Sequence, residues 1–419
     1  MTHAGAPGIP MLDHLQRKRD PSRRSERGQA LVLLLVLLGL AASVFVFSTA
    51  SNVSTYVSPT AERIDRDALA QAKAALIMYV TITNLNTNRP GNFPCPDTDN
   101  DGIANLYSGS NCPGYVSGSN VYVGRLPWQT LGLPDLRDSS GERLWYAVSR
   151  SFARNPSCLP SCSTDLTSDT LGQLTVNGRT VVAIVFAPGR VHGSQVRDAA
   201  NENTASNYLD GENADGNNAT FASAVATSTF NDRLLTIVNP DIMPEIEQYV
   251  AKKMIELLTQ YKAAVGVYPW ADQYNGDSNA SGIQYYNHWR FPCGAAKPTS
   301  WGGAGITLPE WLTNGCDNPV TGWTSVIYYA VAKNRLDNGG NLCTTCTNLS
   351  PPQLTVDGVD KDVVLITPGG YTGSPARNWP LGFGTITGYF EDSENANNDD
   401  TFVTPTAKTY NRDRIFTIP

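Results

Sequence analysis

The feature that most constrains this chain is a repeat: an ordered series of short segments in the first half returns, in the same order, in the second. Leu144-Trp145-Tyr146-Ala147-Val148 returns as Ile327-Tyr328-Tyr329-Ala330-Val331. Gln173-Leu174-Thr175-Val176-Asn177-Gly178 returns as Gln353-Leu354-Thr355-Val356-Asp357-Gly358. Residues 181–188 match 363–368 more loosely, and 230–237 match 410–418. The same reading pairs Phe93-Pro94-Cys95 with Phe291-Pro292-Cys293, and Leu126-Pro127-Trp128 with Leu308-Pro309-Glu310-Trp311. Such an ordered correspondence reports a duplicated structural unit.

Each unit reads as a helix, a cysteine-stapled loop and short strands. Ile246, Tyr249, Val250, Met254, Leu257, Leu258 and Tyr261 make one apolar helical stripe, and Ile64, Ala68, Leu69, Ala72, Leu76 and Val80 make another. Strands are expected at 145–148, 174–176, 181–186 and 234–238. Asn177-Gly178 and Asp357-Gly358 are hairpin-turn signals. A helix backed by an antiparallel sheet is an α+β plan. The chain then divides into a first head over 84–243 and a second over 244–419 with its own helix at 245–266. Residues 239–244, with Pro240 and Pro244, form the junction.

Ahead of the heads stand six basic residues, Arg17, Lys18, Arg19, Arg23, Arg24 and Arg27, and then no charged side chain from Gly28 to Ala61. About 20 apolar residues cross a hydrocarbon core of roughly 30 Å as a helix. The basic flank keeps residues 1–28 cytoplasmic and exports the remainder of the chain. A helix is expected over 29–83, with its membrane part at 29–50 and a kink at Pro59. It reads as a secretory signal cut after Ala50, as a plain single-pass anchor, or as a third kind of leader. The basic stretch ending in Gly28, followed by a hydrophobic helix running into an amphipathic one, resembles the N-terminus of type IV prepilins and type II secretion pseudopilins.

That resemblance implies cleavage between Gly28 and Gln29 by a prepilin peptidase, and assembly with other pilin or pseudopilin subunits. It implies a fold of class α+β, a long N-terminal transmembrane helix followed by two tandem pilin-like heads. It also implies a single-pass place in the inner membrane, C-terminus outside the cytoplasm, before a cell-surface or periplasmic filament. Most members carry Glu at the fifth mature position, where this chain has Leu33. That departure resembles minor subunits at a filament tip. The rival reading is a monomeric membrane-anchored binding protein or adhesin.

All eight cysteines lie beyond the apolar segment: Cys95, Cys112, Cys158, Cys162, Cys293, Cys316, Cys343 and Cys346. An even number in an exported chain reads as disulfides, with zinc as the alternative. Local spacing suggests the pairs 95–112, 158–162, 293–316 and 343–346. The sharpest chemical motif is Asp97-Thr98-Asp99-Asn100-Asp101-Gly102, with Asn105 beyond it. Alternating carboxylates followed by Gly suit Ca²⁺, with Asp97, Asp99, Asp101 and Asn105 as ligands and a distant carboxylate completing the shell. The other reading is an acidic turn. Acidic loops at 210–215 and 391–400 are weaker candidates. A net charge of −7 leaves no electrostatic footprint for nucleic acid. Four histidines and no GxSxG, HExxH or P-loop argue against an enzyme.

Overall fold

The computed structural model describes residues 59–83, 90–155, 166–271, 288–293, 299–313, 323–332, 354–370, 390, 392–396, 400–406 and 413–419. Helix α1, Pro59–Met78, passes through a wider turn at Tyr79–Thr83. It buries Ala68, Leu69, Ala72, Ala75 and Leu76 on one face, the i, i+3, i+4 spacing that puts side chains on a single stripe. Small alanines on that stripe allow close approach to the sheet beneath. Helix α2, Asn239–Val265, buries Ile242, Met243, Ile246, Val250, Met254, Leu257, Leu258 and Tyr261. Gly266, at φ 92°, ends it, its N–H reaching Lys262 O.

Each helix covers a four-stranded antiparallel sheet. In the first half β1 (Val121–Arg125), β2 (Trp145–Ser149), β5 (Ala183–Ala187) and β7 (Arg233–Ile237) lie in the order β1-β2-β5-β7. In the second, β8 (His288–Arg290), β9 (Tyr328–Val331), β12 (Val363–Thr367) and β14 (Arg414–Ile418) repeat that order as β8-β9-β12-β14. A three-stranded sheet accompanies each. β3 (Leu174–Val176) pairs antiparallel with β4 (Arg179–Val181) and parallel with β6 (Thr220–Phe221). β10 (Leu354–Val356) does the same with β11 (Val359–Lys361) and β13 (Thr401–Phe402). Val182 and Asp362 are the corners where the chain passes from small sheet to large, each N–H bonding the end of the last strand, Ile237 O and Ile418 O.

Between large and small sheets lies a minor core, built in the first half from Trp145, Ile184, Phe186, Leu174, Val176 and Phe221. Its counterpart uses Tyr328, Val364, Ile366, Leu354, Val356 and Phe402. The main core is shared. Leu76 of α1, Tyr146 and Val185 of the first sheet, Met254 and Tyr261 of α2, and Tyr329 and Leu365 of the second sheet belong to one buried cluster.

Several expectations are corrected. The fold class with a long N-terminal transmembrane helix, and with it the single-pass inner-membrane location, is overturned by the helices themselves. No helix among the described residues is long and apolar enough to cross a membrane. Helix α1, Pro59–Met78, carries Glu62, Arg63, Asp65, Arg66 and Asp67. The leader 1–28, the segment 29–58, and the processing residues Gly28 and Gln29 lie outside the described residues. What is described is a mixed α/β structure dominated by sheet.

Residues 59–419 cluster as one compact unit. Helix α2 starts at Asn239 rather than 245 and carries Pro244 inside it. Asp241 explains the early start: its carboxylate accepts the Val238 N–H at 3.0 Å and the Lys73 ammonium at 2.7 Å. Pro240 sits in the first turn, where a missing N–H is harmless.

The repeat is also re-registered in one place. Arg125 of β1 stands opposite Trp145, and Arg290 of β8 stands opposite Tyr328. Phe291-Pro292-Cys293 therefore occupies the place of Leu126-Pro127-Trp128, not that of Phe93-Pro94-Cys95. The true counterpart of Phe93-Pro94 is Tyr268-Pro269. Tyr146 donates its hydroxyl to Pro94 O at 3.4 Å, as Tyr329 donates to Pro269 O at 2.7 Å. The staples differ accordingly. Cys95 and Cys112 are bonded, with Cα atoms 5.5 Å apart. Closing a loop of that size contributes about 3 kcal/mol by chain-entropy reasoning. Cys293 is also disulfide-bonded. Cys158, Cys162, Cys316, Cys343 and Cys346 lie outside the described residues.

Candidate functional site

Asp97 sits where the loop after Phe93-Pro94 bridges back to the sheet, its backbone exchanging hydrogen bonds with Arg125 at 3.0 and 2.7 Å. Gly124 permits that approach, since a Cβ there would lie 2.7 Å from Asp97 O. The Asp97 carboxylate is buried and organises the loop around itself. Oδ1 accepts the N–H of Asp99 (3.1 Å) and of Asn100 (2.6 Å), and Oδ2 accepts the N–H of Gly102 (2.7 Å). Asn100, at φ 62°, and Gly102, at φ 86°, turn the backbone inward. A side chain at Gly102 would strike the Trp128 ring at 2.5 Å, so glycine is required there twice over.

Asp97, Asp99 and Asp101 each bring one carboxylate oxygen to within 4.8 Å of the others. Burial pushes the Asp97 carboxyl up, the Gly102 N–H pulls it down, and the Asp99 carboxylate beside it raises it again. A hard divalent cation would relieve that repulsion, and oxygens are the ligands it takes. The fourth expected ligand, Asn105, is held by Thr98, its Oδ1 accepting the Thr98 N–H at 2.6 Å and hydroxyl at 3.0 Å. Glu202 accepts Asn100 Nδ2 at 2.8 Å and is not one of the clustered carboxylates. Arg143 braces the loop from the other side through Asn100 O and Oδ1.

The acidic loop at 210–215 is clasped through its two buried residues, Asp210 and Asn213, while Glu212 and Asp215 are exposed. Asp232 Oδ2 accepts the Asp210 N–H at 2.8 Å and Asn213 Nδ2 at 3.0 Å. Asn213 in turn exchanges hydrogen bonds with Ala222. The second half repeats the clasp: Asp413 Oδ2 accepts from Asp392 N and Asn395 Nδ2, both at 3.3 Å, and Asn395 exchanges with Val403. Asp232 is 4 % exposed and its Oδ1 has no partner. Burial pushes its carboxyl up to about 8, against the pull of the Asp210 N–H, and the Asp210 charge adds to the rise. His192 Nε2 lies 2.7 Å from Asp210 Oδ1 without hydrogen-bond alignment.

Sequence reasoning missed the helix-to-strand ion pairs. Glu247 of α2 is wholly buried and is met by Ser168 Oγ at 2.5 Å, Thr367 Oγ1 at 3.2 Å and the Arg414 guanidinium. Burial raises its carboxyl and Arg414 draws it back. In the first half Asp65 and Glu62 of α1 meet Arg233. Arg233 and Arg414 occupy the same position in the repeat, the one signal that could have exposed the pairs. His288 is held between Tyr328 Oη at 2.6 Å and Asp400 Oδ1 at 2.7 Å. Trp270, Trp301, Trp311 and Trp323 are buried at 2–6 % exposure, so these four rings belong to the core.

Fold and site define a duplicated helix-and-sheet protein with buried polar clasps at equivalent places in both halves. Compared with protein-family models, with curated proteins and with solved structures, the chain finds no match in any of the three.

Proposed function

We propose that this chain is a structural subunit of a pilin-like assembly, of the minor or tip kind, cut after Gly28 by a prepilin peptidase and joined to other pilin or pseudopilin subunits. The observation that carries the reading is the duplicated helix-on-sheet unit fused through one core, beside a leader of prepilin type in the sequence. Its conspicuous polar groups support a structural role. Asp97, Asp232, Asp413 and Glu247 all hold backbone or neighbouring side chains in place. Ca²⁺ at Asp97, Asp99 and Asp101 would stiffen the loop that backs onto β1.

The test is N-terminal sequencing and intact mass of the protein from cells with and without a prepilin peptidase. A mature chain beginning at Gln29 only when the peptidase is present supports the proposal. An uncut chain, or one beginning at Ser51, overturns it. The adhesin alternative gains no stacking surface from Trp270, Trp301, Trp311 and Trp323, which are inside the fold.

A further inference from the structure

Asn177 and Gly178 form the two-residue turn between β3 and β4, where Val176 stands opposite Arg179. Their φ values of 48° and 78° give the primed turn that matches strand twist. Both residues are exposed, and a Cβ at Gly178 would meet nothing within 4 Å. The Asn177 amide is clamped onto the neighbouring chain segment: Nδ2 donates to Ser223 O at 2.8 Å and Oδ1 accepts the Ser223 N–H at 3.1 Å. Its own N–H reaches Phe221 O at 3.1 Å.

The second half holds an acid in the same position. Asp357 has φ 51°, its N–H reaches Phe402 O at 2.9 Å, and its Oδ1 accepts the Thr404 N–H at 2.9 Å. The Thr404 hydroxyl, followed by its N–H, draws the Asp357 carboxyl below the usual carboxylate range. One turn geometry thus serves an amide in one half and an ionised acid in the other.

We propose that Asn177 is a site of spontaneous deamidation, and that the fold keeps the Asp product in the same turn. The Gly178 backbone nitrogen gives up its proton and attacks Asn177 Cγ. The bond from Cγ to the amide nitrogen breaks, ammonia carries the proton away, and a cyclic imide remains. Water then opens the ring. Attack at Cγ restores the ordinary backbone with an aspartate side chain. Attack at the main-chain carbonyl routes the chain through the side-chain carbon as isoaspartate. Water is the only co-reactant, and glycine at 178 leaves the attacking nitrogen unhindered.

The aspartate product keeps the Oδ1 bond to the Ser223 N–H and gives up the exposed Nδ2 bond to Ser223 O. That is the arrangement Asp357 has with the Thr404 N–H, and Ser223, like Thr404, carries a hydroxyl. The isoaspartate product adds a backbone atom to a two-residue turn and spoils the pairing of Val176 with Arg179. Attack requires the amide to leave Ser223, so the folded chain reacts more slowly than the unfolded one. The outcome is one further negative charge on an exposed turn, at a rate set by local opening.

The experiment incubates the full chain, folded and in urea, in mildly alkaline buffer and follows Asn177 by peptide mapping. The expected result is the mass gain of an amide-to-acid exchange in both samples, several-fold slower in the folded one. Asn177→Asp is expected to melt within measurement error of the parent, with the β3–β4 amides as protected from exchange. An Asn177 still intact in the folded protein after the urea sample has fully converted overturns the proposal. So does an Asn177→Asp variant that melts well below the parent with an unprotected hairpin.

Discussion

Replacing Asp232 by Asn should remove a pH dependence built into the clasp of the first half. Asp232 is almost wholly buried and its carboxyl is pushed up to about 8 from 3.8. The folded chain therefore holds a proton that the unfolded chain releases near the ordinary carboxylate range. Stability that this group contributes is fully present below pH 3.8 and is lost as pH rises through the window to about 8. At about 1.36 kcal/mol per pH unit, that window sets a ceiling of about 6 kcal/mol on the loss, which relaxation and water entry reduce to several kcal/mol.

Asparagine keeps an oxygen for the Asp210 N–H and Asn213 Nδ2 and cannot ionise. The assay is urea unfolding followed by tryptophan fluorescence across pH 5 to 9, with the disulfides intact. The parent's midpoint should fall with rising pH, while that of the Asp232→Asn variant stays nearly flat. The two curves then converge at the acid end and separate at the alkaline end. Parallel curves would refute the reasoning, since they would place the titration on a group other than Asp232.

The same structure makes two further outcomes testable. Glu247→Ala strips the buried partner of Arg414 and orphans Ser168 and Thr367, so unfolding free energy should drop by about 3 kcal/mol, whereas Glu247→Gln, which keeps both hydroxyl contacts, should lose less; equal losses in the two variants would count against the ion pair. Calorimetric titration with Ca²⁺ should show one site that disappears in Asp99→Asn/Asp101→Asn while the melting temperature without Ca²⁺ stays put, and a titration with no heat in the parent would leave the loop as an acidic turn.

The strands were legible because their residues are aromatic and β-branched, and because the repeat offers each twice: Trp145–Val148 against Tyr328–Val331. The turns at Asn177-Gly178 and Asp357-Gly358 were legible because few residues accept positive φ at such points. Phe-Pro-Cys misled for the opposite reason. Two identical tripeptides invite alignment, yet register is decided by which strand precedes them, and Tyr268-Pro269 shares only its proline with Phe93-Pro94. Glu247 was hidden because a carboxylate between Ile246 and Val250 reads as the polar margin of an amphipathic helix. Its partners Ser168, Thr367 and Arg414 all lie far from it along the chain. Asn105 fits a ligand spacing, and the structure adds that its Oδ1 accepts from the Thr98 N–H and hydroxyl, a local contact the spacing does not announce. The shared core has no local signature, since it depends on which faces of two distant helices meet.

Val238 is the only residue between the last strand of the first half, ending at Ile237, and the helix of the second, beginning at Asn239. A tension applied along the chain at that point finds no slack to draw out. It meets a strand held to β5 along five residue pairs on one side and a helix anchored through Lys73 and Glu247 on the other. The duplicated protein should therefore yield to pulling in one abrupt step rather than as two beads parting on a string, stiff up to the moment its common interior gives way.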